Sequence, residues 1–97
     1  MKTVFITFNQ AHYDRIIAVL DRLNCRGYTY WDVVQGRGSE TGDPHLGTSA
    51  WPSLSSAIIT IVPEHRVKPL LQVLKKIDDV YDQLGIRAFV WNVEQTM

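Results

Sequence analysis

The segment Gly36-Arg37-Gly38-Ser39-Glu40-Thr41-Gly42 concentrates glycine around an arginine. Glycine lets the backbone approach a ligand closely and turn its N–H groups toward an anion, and arginine adds a planar fork of donors suited to phosphate or carboxylate. Arg87, far along the chain, is a second candidate counter-charge. The plainer reading makes Gly36, Gly38 and Gly42 the base of a loop with unusual backbone angles, and leaves both arginines in solvent. The standard phosphate motifs do not fit. A dinucleotide fingerprint needs G-x-G-x-x-G opening a helix, and a Walker loop must end in Gly-Lys-Ser/Thr. His45, with Glu40 and Asp43 nearby, is a candidate transition-metal ligand or an ordinary exposed histidine. His12 and His65 lack zinc-site spacing, and Cys25 is the single cysteine. No nucleophile has an adjacent base, so no catalytic residue is assigned and the chain is read as a non-enzyme.

These residues must be positioned by a small set of elements. Thr3 to Phe8 alternates, with Val4, Ile6 and Phe8 on one face and Thr3, Phe5 and Thr7 on the other, which predicts a strand. Asn9 offers an N-cap. Tyr13, Ile16, Ile17, Leu20 and Leu23 then recur at helical spacing, and Gly27 is expected to close that helix. Tyr28 to Val34, rich in aromatic and β-branched residues, predicts strand two. Ser56 to Val62 is apolar on both faces and predicts a central strand, ended by Pro63-Glu64. Val67, Leu70, Leu71, Leu74, Ile77, Tyr81 and Leu84 trace a second helix, with Pro69 tolerated near its first turn and Gly85 at its end. Ile86 to Val93 predicts strand four, with Phe89, Trp91 and Val93 on one face. Asp78-Asp79 and Asp14-Arg15 read as solvated helix face.

The order β-α-β, long loop, β-α-β predicts one α+β domain over residues 1–97 with a ferredoxin-like βαββαβ fold: a four-stranded antiparallel sheet with two helices on one face. Phe5, Trp31, Ile59 and Ile61, or their alternates along the strands, suggest that the other face is apolar too, and an uncovered apolar face predicts association. Trp31 and Trp91 are expected in the core or on that associating face. The loop from Gly36 to Ser55 is far longer than the median connection of about 4 to 6 residues, so it is expected to be functional or disordered. Trp51 in this polar segment is expected to dock on its own or a neighbouring subunit, or on a partner protein.

Composition narrows the classes of function. Of 97 residues, 45% are hydrophobic, enough for a core without metal or disulfides. The 10 basic and 10 acidic side chains cancel, so nucleic acid is not an expected partner. Apolar runs are too short to cross a membrane, and Met-Lys-Thr-Val-Phe-Ile-Thr does not read as a signal peptide, so a cytoplasmic location is expected.

Met1-Lys2, Gly27-Tyr28-Thr29, Val34-Gln35-Gly36-Arg37-Gly38 followed by Gly42, and Phe89-Val90-Trp91-Asn92-Val93-Glu94-Gln95 occur in this order on the βαββαβ frame. The sequence thereby resembles the nitrogen-regulatory PII signalling superfamily along nearly its whole length. The resemblance implies a homotrimer whose T-loop, here 36–55 with Glu40, Thr41, His45 and Trp51, contacts a partner protein. It also implies a small anionic effector, a nucleotide or a smaller anion, held in intersubunit clefts by Gly36, Arg37, Gly38, Gly42 and Arg87. The sequence departs from the family in three places. The phosphate-cradling B-loop is reduced to Asp82-Gln83-Leu84-Gly85-Ile86-Arg87, no arginine follows Val93-Glu94-Gln95, and 36–55 holds no tyrosine to uridylylate. Weak nucleotide binding is therefore expected. The alternative is a trimer resembling the CutA family that binds a divalent metal through His45 and nearby carboxylates. An acylphosphatase-like enzyme is disfavoured, because Asn9-Gln10-Ala11-His12 contains neither glycine nor arginine.

Overall fold

The computed structural model describes residues 1–35, 54–81 and 85–97. Alternation in β1 (Lys2–Asn9) sends Val4, Ile6 and Phe8 into a core where each is at most 1% exposed. A 3₁₀ turn, Gln10–His12, follows, and the Asn9 side chain accepts a hydrogen bond from the Ala11 N–H at 2.9 Å, so Asn9 caps this turn while the N-cap of the α-helix itself is His12. It leads into α1 (Tyr13–Arg22), then β2 (Tyr28–Val34) and β3 (Ser55–Val62). A second 3₁₀ turn, Glu64–Arg66, precedes α2 (Val67–Val80), and β4 is Arg87–Asn92. The strands form one antiparallel sheet in the order β2-β3-β1-β4, the ferredoxin-like topology, with β3 in its interior.

Ile16, Val19 and Leu20 of α1 and Leu70 and Leu74 of α2 pack with Val4, Ile6, Phe8, Ile58 and Val62, so both helices cover the same face. The opposite face carries Phe5, Ile59, Trp31, Ile61, Phe89 and Trp91, and the last four are 44%, 47%, 54% and 48% exposed. Trp31 and Trp91 therefore lie on the bare face and not in the core. The Phe5 and Trp91 rings are 6.3 Å apart there, so part of this face already packs against itself.

The end of α1 differs from the sequence expectation. The helix stops at Arg22, and Asn24 takes the left-handed conformation at φ 58°. The Asn24 N–H bonds the Asp21 carbonyl at 3.2 Å and the Cys25 N–H bonds the Leu20 carbonyl at 2.7 Å, the paired bonds of a Schellman cap. Asparagine adopts this geometry more readily than most residues, so Gly27 is not the terminator. A Cβ at Gly27 would meet nothing. Gly85 takes left-handed geometry, at φ 61°, and it leads into β4. Cys25, just past the helix end, is buried and its thiol is free. Among the described residues no helix is long and apolar enough to cross a membrane.

Candidate ligand-binding site

Gly36, Arg37, Gly38, Glu40, Thr41, Gly42, His45 and Trp51 lie outside the described residues. What the fold defines is the pair of strand ends between which they are strung. Val34 at the end of β2 pairs with Ser55 at the start of β3, so the neck of the loop sits at one end of the sheet. Arg87, the first residue of β4, lies at that same end. The register runs Arg87↔Thr7↔Ala57↔Trp31 across the four strands. Arg87 and the β2 stalk of the loop neck therefore occupy opposite edges of the sheet, three strand spacings or about 14 Å apart.

Each edge is fixed by its own polar contacts. On the β4 side, Asp78 of α2 accepts a hydrogen bond from the Ile86 N–H at 2.8 Å, which ties the last turns of the helix to the residue before Arg87. Asp78 is half-buried and so is not the solvated residue that its pairing with Asp79 suggested. Asp79 does face outward, where it pairs with Lys75 at 2.8 Å; the short hydrogen bond to Asp79 raises the lysine pKa. Arg87 is exposed, and one of its guanidinium nitrogens donates to the Ile86 carbonyl at 3.2 Å.

Tyr81, just past α2, is held on two sides. The His12 ring meets it edge-on with centroids 5.3 Å apart, and the Arg15 guanidinium lies 4.4 Å from its ring centre and donates to its hydroxyl at 3.2 Å. Arg15 thus anchors α1 to the end of α2 and is more than solvated helix surface. His12 is fully buried, and neither ring nitrogen has a hydrogen-bond partner among the described residues. Burial, and after it the positive charge of Arg15, push the imidazole pKa below its ordinary value, while Asp78 pulls the other way.

On the β2 side the contacts converge on Asp32. Its carboxylate Oδ1 accepts from the Gln10 side-chain amide at 3.0 Å and from the Tyr30 hydroxyl at 2.8 Å. Its carbonyl accepts from Gln10 at 3.0 Å and from the Ser56 hydroxyl at 2.6 Å. The Tyr13 ring packs on Tyr30 at 4.8 Å, and burial raises the Tyr30 pKa. Gln10, Asp32 and Ser56 were not singled out in the sequence, where each is an ordinary polar residue. The one available signal is Asp32, an acidic residue inside an aromatic, β-branched run.

Among the described residues no group of three or more His, Cys, Asp or Glu gathers as a metal site, and His45 is not among those residues. Among the described residues, exposed Arg87 on β4 and the Asp32 cluster on β2 lie at opposite edges of one sheet.

The comparisons point to one family. The whole sequence, residues 1–97, matches the family described as Nitrogen regulatory protein P-II. No curated protein gives a significant match. The fold superposes on CPII from Thiomonas intermedia K12 bound to ADP and bicarbonate, with a TM-score of 0.76 and 27% identity over 95% of this chain and 84% of that one. CPII bound to ADP, AMP and acetate gives a TM-score of 0.75 and 26% identity with the same coverage. A PII-like signalling protein from Thermus thermophilus gives 0.67 and 25% identity over 95% of this chain and 85% of that one. The chain belongs to the nitrogen regulatory protein P-II family.

Proposed function

We propose that this protein is a trimeric regulator that binds a small anionic effector in the clefts between its subunits and uses residues 36–55 to contact a partner protein. The observation that carries the reading is the placement of Arg87 and the loop neck on opposite edges of one sheet. A second copy that sets its loop neck beside the β4 edge of the first would complete a site that neither copy forms across its own sheet. The bare apolar face gives the copies a reason to associate. Trp31, Ile61, Phe89 and Trp91 are large and exposed, and the register places Ile59 and Phe5 between them on the same face. Burying such surface contributes about 25 cal/mol per Å² removed from water.

In this reading Arg87 of one subunit and Arg37 of its neighbour supply counter-charge, and Gly36, Gly38 and Gly42 supply backbone N–H groups. Asp78 holds Arg87 in register by fixing Ile86. CPII binds ADP with bicarbonate, and ADP and AMP with acetate, so adenine nucleotides and small carboxylate-like anions are the effectors to test first. The protein acts by changing what it contacts and makes or breaks no covalent bond.

Light scattering coupled to gel filtration, followed by calorimetric titration with ADP and with bicarbonate, tests the reading. The expected result is a particle of three chains that binds at least one of the two, with Arg37→Ala and Arg87→Ala each weakening binding. Each charge-assisted hydrogen bond lost is expected to cost about 1.5–3 kcal/mol. A monomer at micromolar concentration, or binding unaffected by either substitution, would overturn it.

A further inference from the structure

The β2 edge carries a polar device that the proposed function does not account for. Gln10, the first residue of the 3₁₀ turn after β1, holds both stalks of the loop at once. Its backbone N–H donates to the Leu54 carbonyl at 2.8 Å, on the stalk that enters β3. Its side-chain amide reaches Asp32 on the stalk that leaves β2, with both the carboxylate and the carbonyl at 3.0 Å. Ser56, fully buried, closes the link by donating to the Asp32 carbonyl at 2.6 Å.

The clamp coincides with a fault in the strand ladder. Trp31 pairs with Ala57 and Val34 with Ser55, so β2 uses three steps where β3 uses two. The extra residue is a β-bulge, which interrupts pairing, bends the strand and re-aims the chain beyond it. A bulge frees backbone groups from the ladder. Here, inside the irregular stretch between Trp31 and Val34, the Asp32 carbonyl accepts from the Gln10 and Ser56 side chains. The neck direction is therefore set by side chains as well as by sheet hydrogen bonds.

We propose that Gln10 and Asp32 are positioning residues that lock the bulged neck at 32–35, and so fix the direction in which β2 leaves the sheet toward the neighbouring subunit. The second half of this statement rests on the proposed function. The first half does not. Asp32 acts as a hydrogen-bond acceptor, since its Oδ1 accepts from Gln10 and Tyr30, and an asparagine oxygen at the same place can accept from both.

The test compares Asp32→Ala, Gln10→Ala and Asp32→Asn with the native protein in amide hydrogen exchange without ligand, followed by ADP titration. Asp32→Ala and Gln10→Ala are expected to speed exchange at residues 33–35 and 54–56 by about 10- to 100-fold while Val4 and Ile6 keep native protection. Asp32→Asn is expected to restore both native exchange and native ADP affinity, whereas the two alanine variants bind ADP about 10-fold more weakly. Unchanged exchange at the neck in both alanine variants would overturn the clamp. Faster exchange with native ADP affinity would overturn its positioning role. Failure of Asp32→Asn to restore exchange would show that the charge matters and the acceptor does not, which also overturns the proposal. If the native protein binds no ADP, the ADP reading of the cleft falls, while exchange at the neck still decides the clamp.

Discussion

The two faces of the sheet are built from alternate residues of the same strands, yet they end in opposite states. On one face Val4, Ile6, Phe8 and Ile58 are no more than 1% exposed beneath two helices. On the other, Trp31, Ile61, Phe89 and Trp91 remain about half exposed, although their side chains are also large and mainly apolar. Amino-acid type does not make this difference; the supply of cover does. The apolar stripes of α1 and α2 are spent on the first face, and the second is left for something outside the described residues. A chain that carries such a face is expected to keep it because association covers it.

Paired substitutions sharpen this comparison. The largest effect is expected in the helix-covered core, where Phe8→Ala should cost about 3–5 kcal/mol of stability in urea denaturation by opening a cavity among packed side chains. Its counterpart on the bare face, Phe89→Ser, is expected to leave each chain folded and to lower the particle mass in light scattering. If Phe89→Ser unfolds the chain and leaves the mass unchanged, the face is structural within one subunit and the comparison breaks.

A smaller effect is expected at the edge that carries Arg87. Asp78→Ala leaves the N–H of buried Ile86 without its acceptor and should cost about 1–3 kcal/mol. A cost near zero would mean that the α2 to β4 link does not depend on this bond.

A third prediction concerns His12. Its folded-state pKa lies below the ordinary value, so the unfolded chain takes up the proton first as pH falls. Above the ordinary histidine pKa of about 6.5 the ring is neutral in both states and contributes no pH dependence. Stability should therefore fall as the solution is taken from neutral pH through about 6.5 and below, until the folded-state ring protonates too. His12→Leu should flatten this part of the profile in denaturation curves collected across pH. An unchanged slope would place the titrating group elsewhere. The smallest effect is expected at Lys75. It pairs with Asp79 on an exposed helix face, and Lys75→Ala should change stability by no more than about 0.5 kcal/mol.

Much of the frame was legible because it rests on periodicity. The bounds of β2 agree with the aromatic, β-branched run, and the continuous apolar character of Ser56 to Val62 matches a strand with neighbours on both sides. The end of α1 was misread because glycine is the commoner left-handed terminator, while here Asn24 takes that role. Asp78 and Arg15 were misread for a different reason. Helical spacing places them on the polar side, but it cannot reveal that Ile86 and Tyr81 return to meet them from elsewhere in the chain. Of the proposed binding residues, Arg87 is the one within the described chain, and its register relative to β2 is a fact of topology that no local motif encodes. The Gln10–Asp32 link was invisible for the same reason, since it joins polar residues 22 positions apart.

The central claim is that two copies of the chain complete one site, and subunit mixing tests it most directly. Arg37→Ala and Arg87→Ala proteins are prepared separately, unfolded together, refolded as mixed assemblies and titrated with ADP beside each variant alone. The account predicts that the mixture regains native-affinity sites, because a cleft that takes its loop from an Arg87→Ala chain and its β4 edge from an Arg37→Ala chain carries both arginines. A mixture that binds no better than the separate variants, while the native protein treated in the same way binds fully, would contradict it.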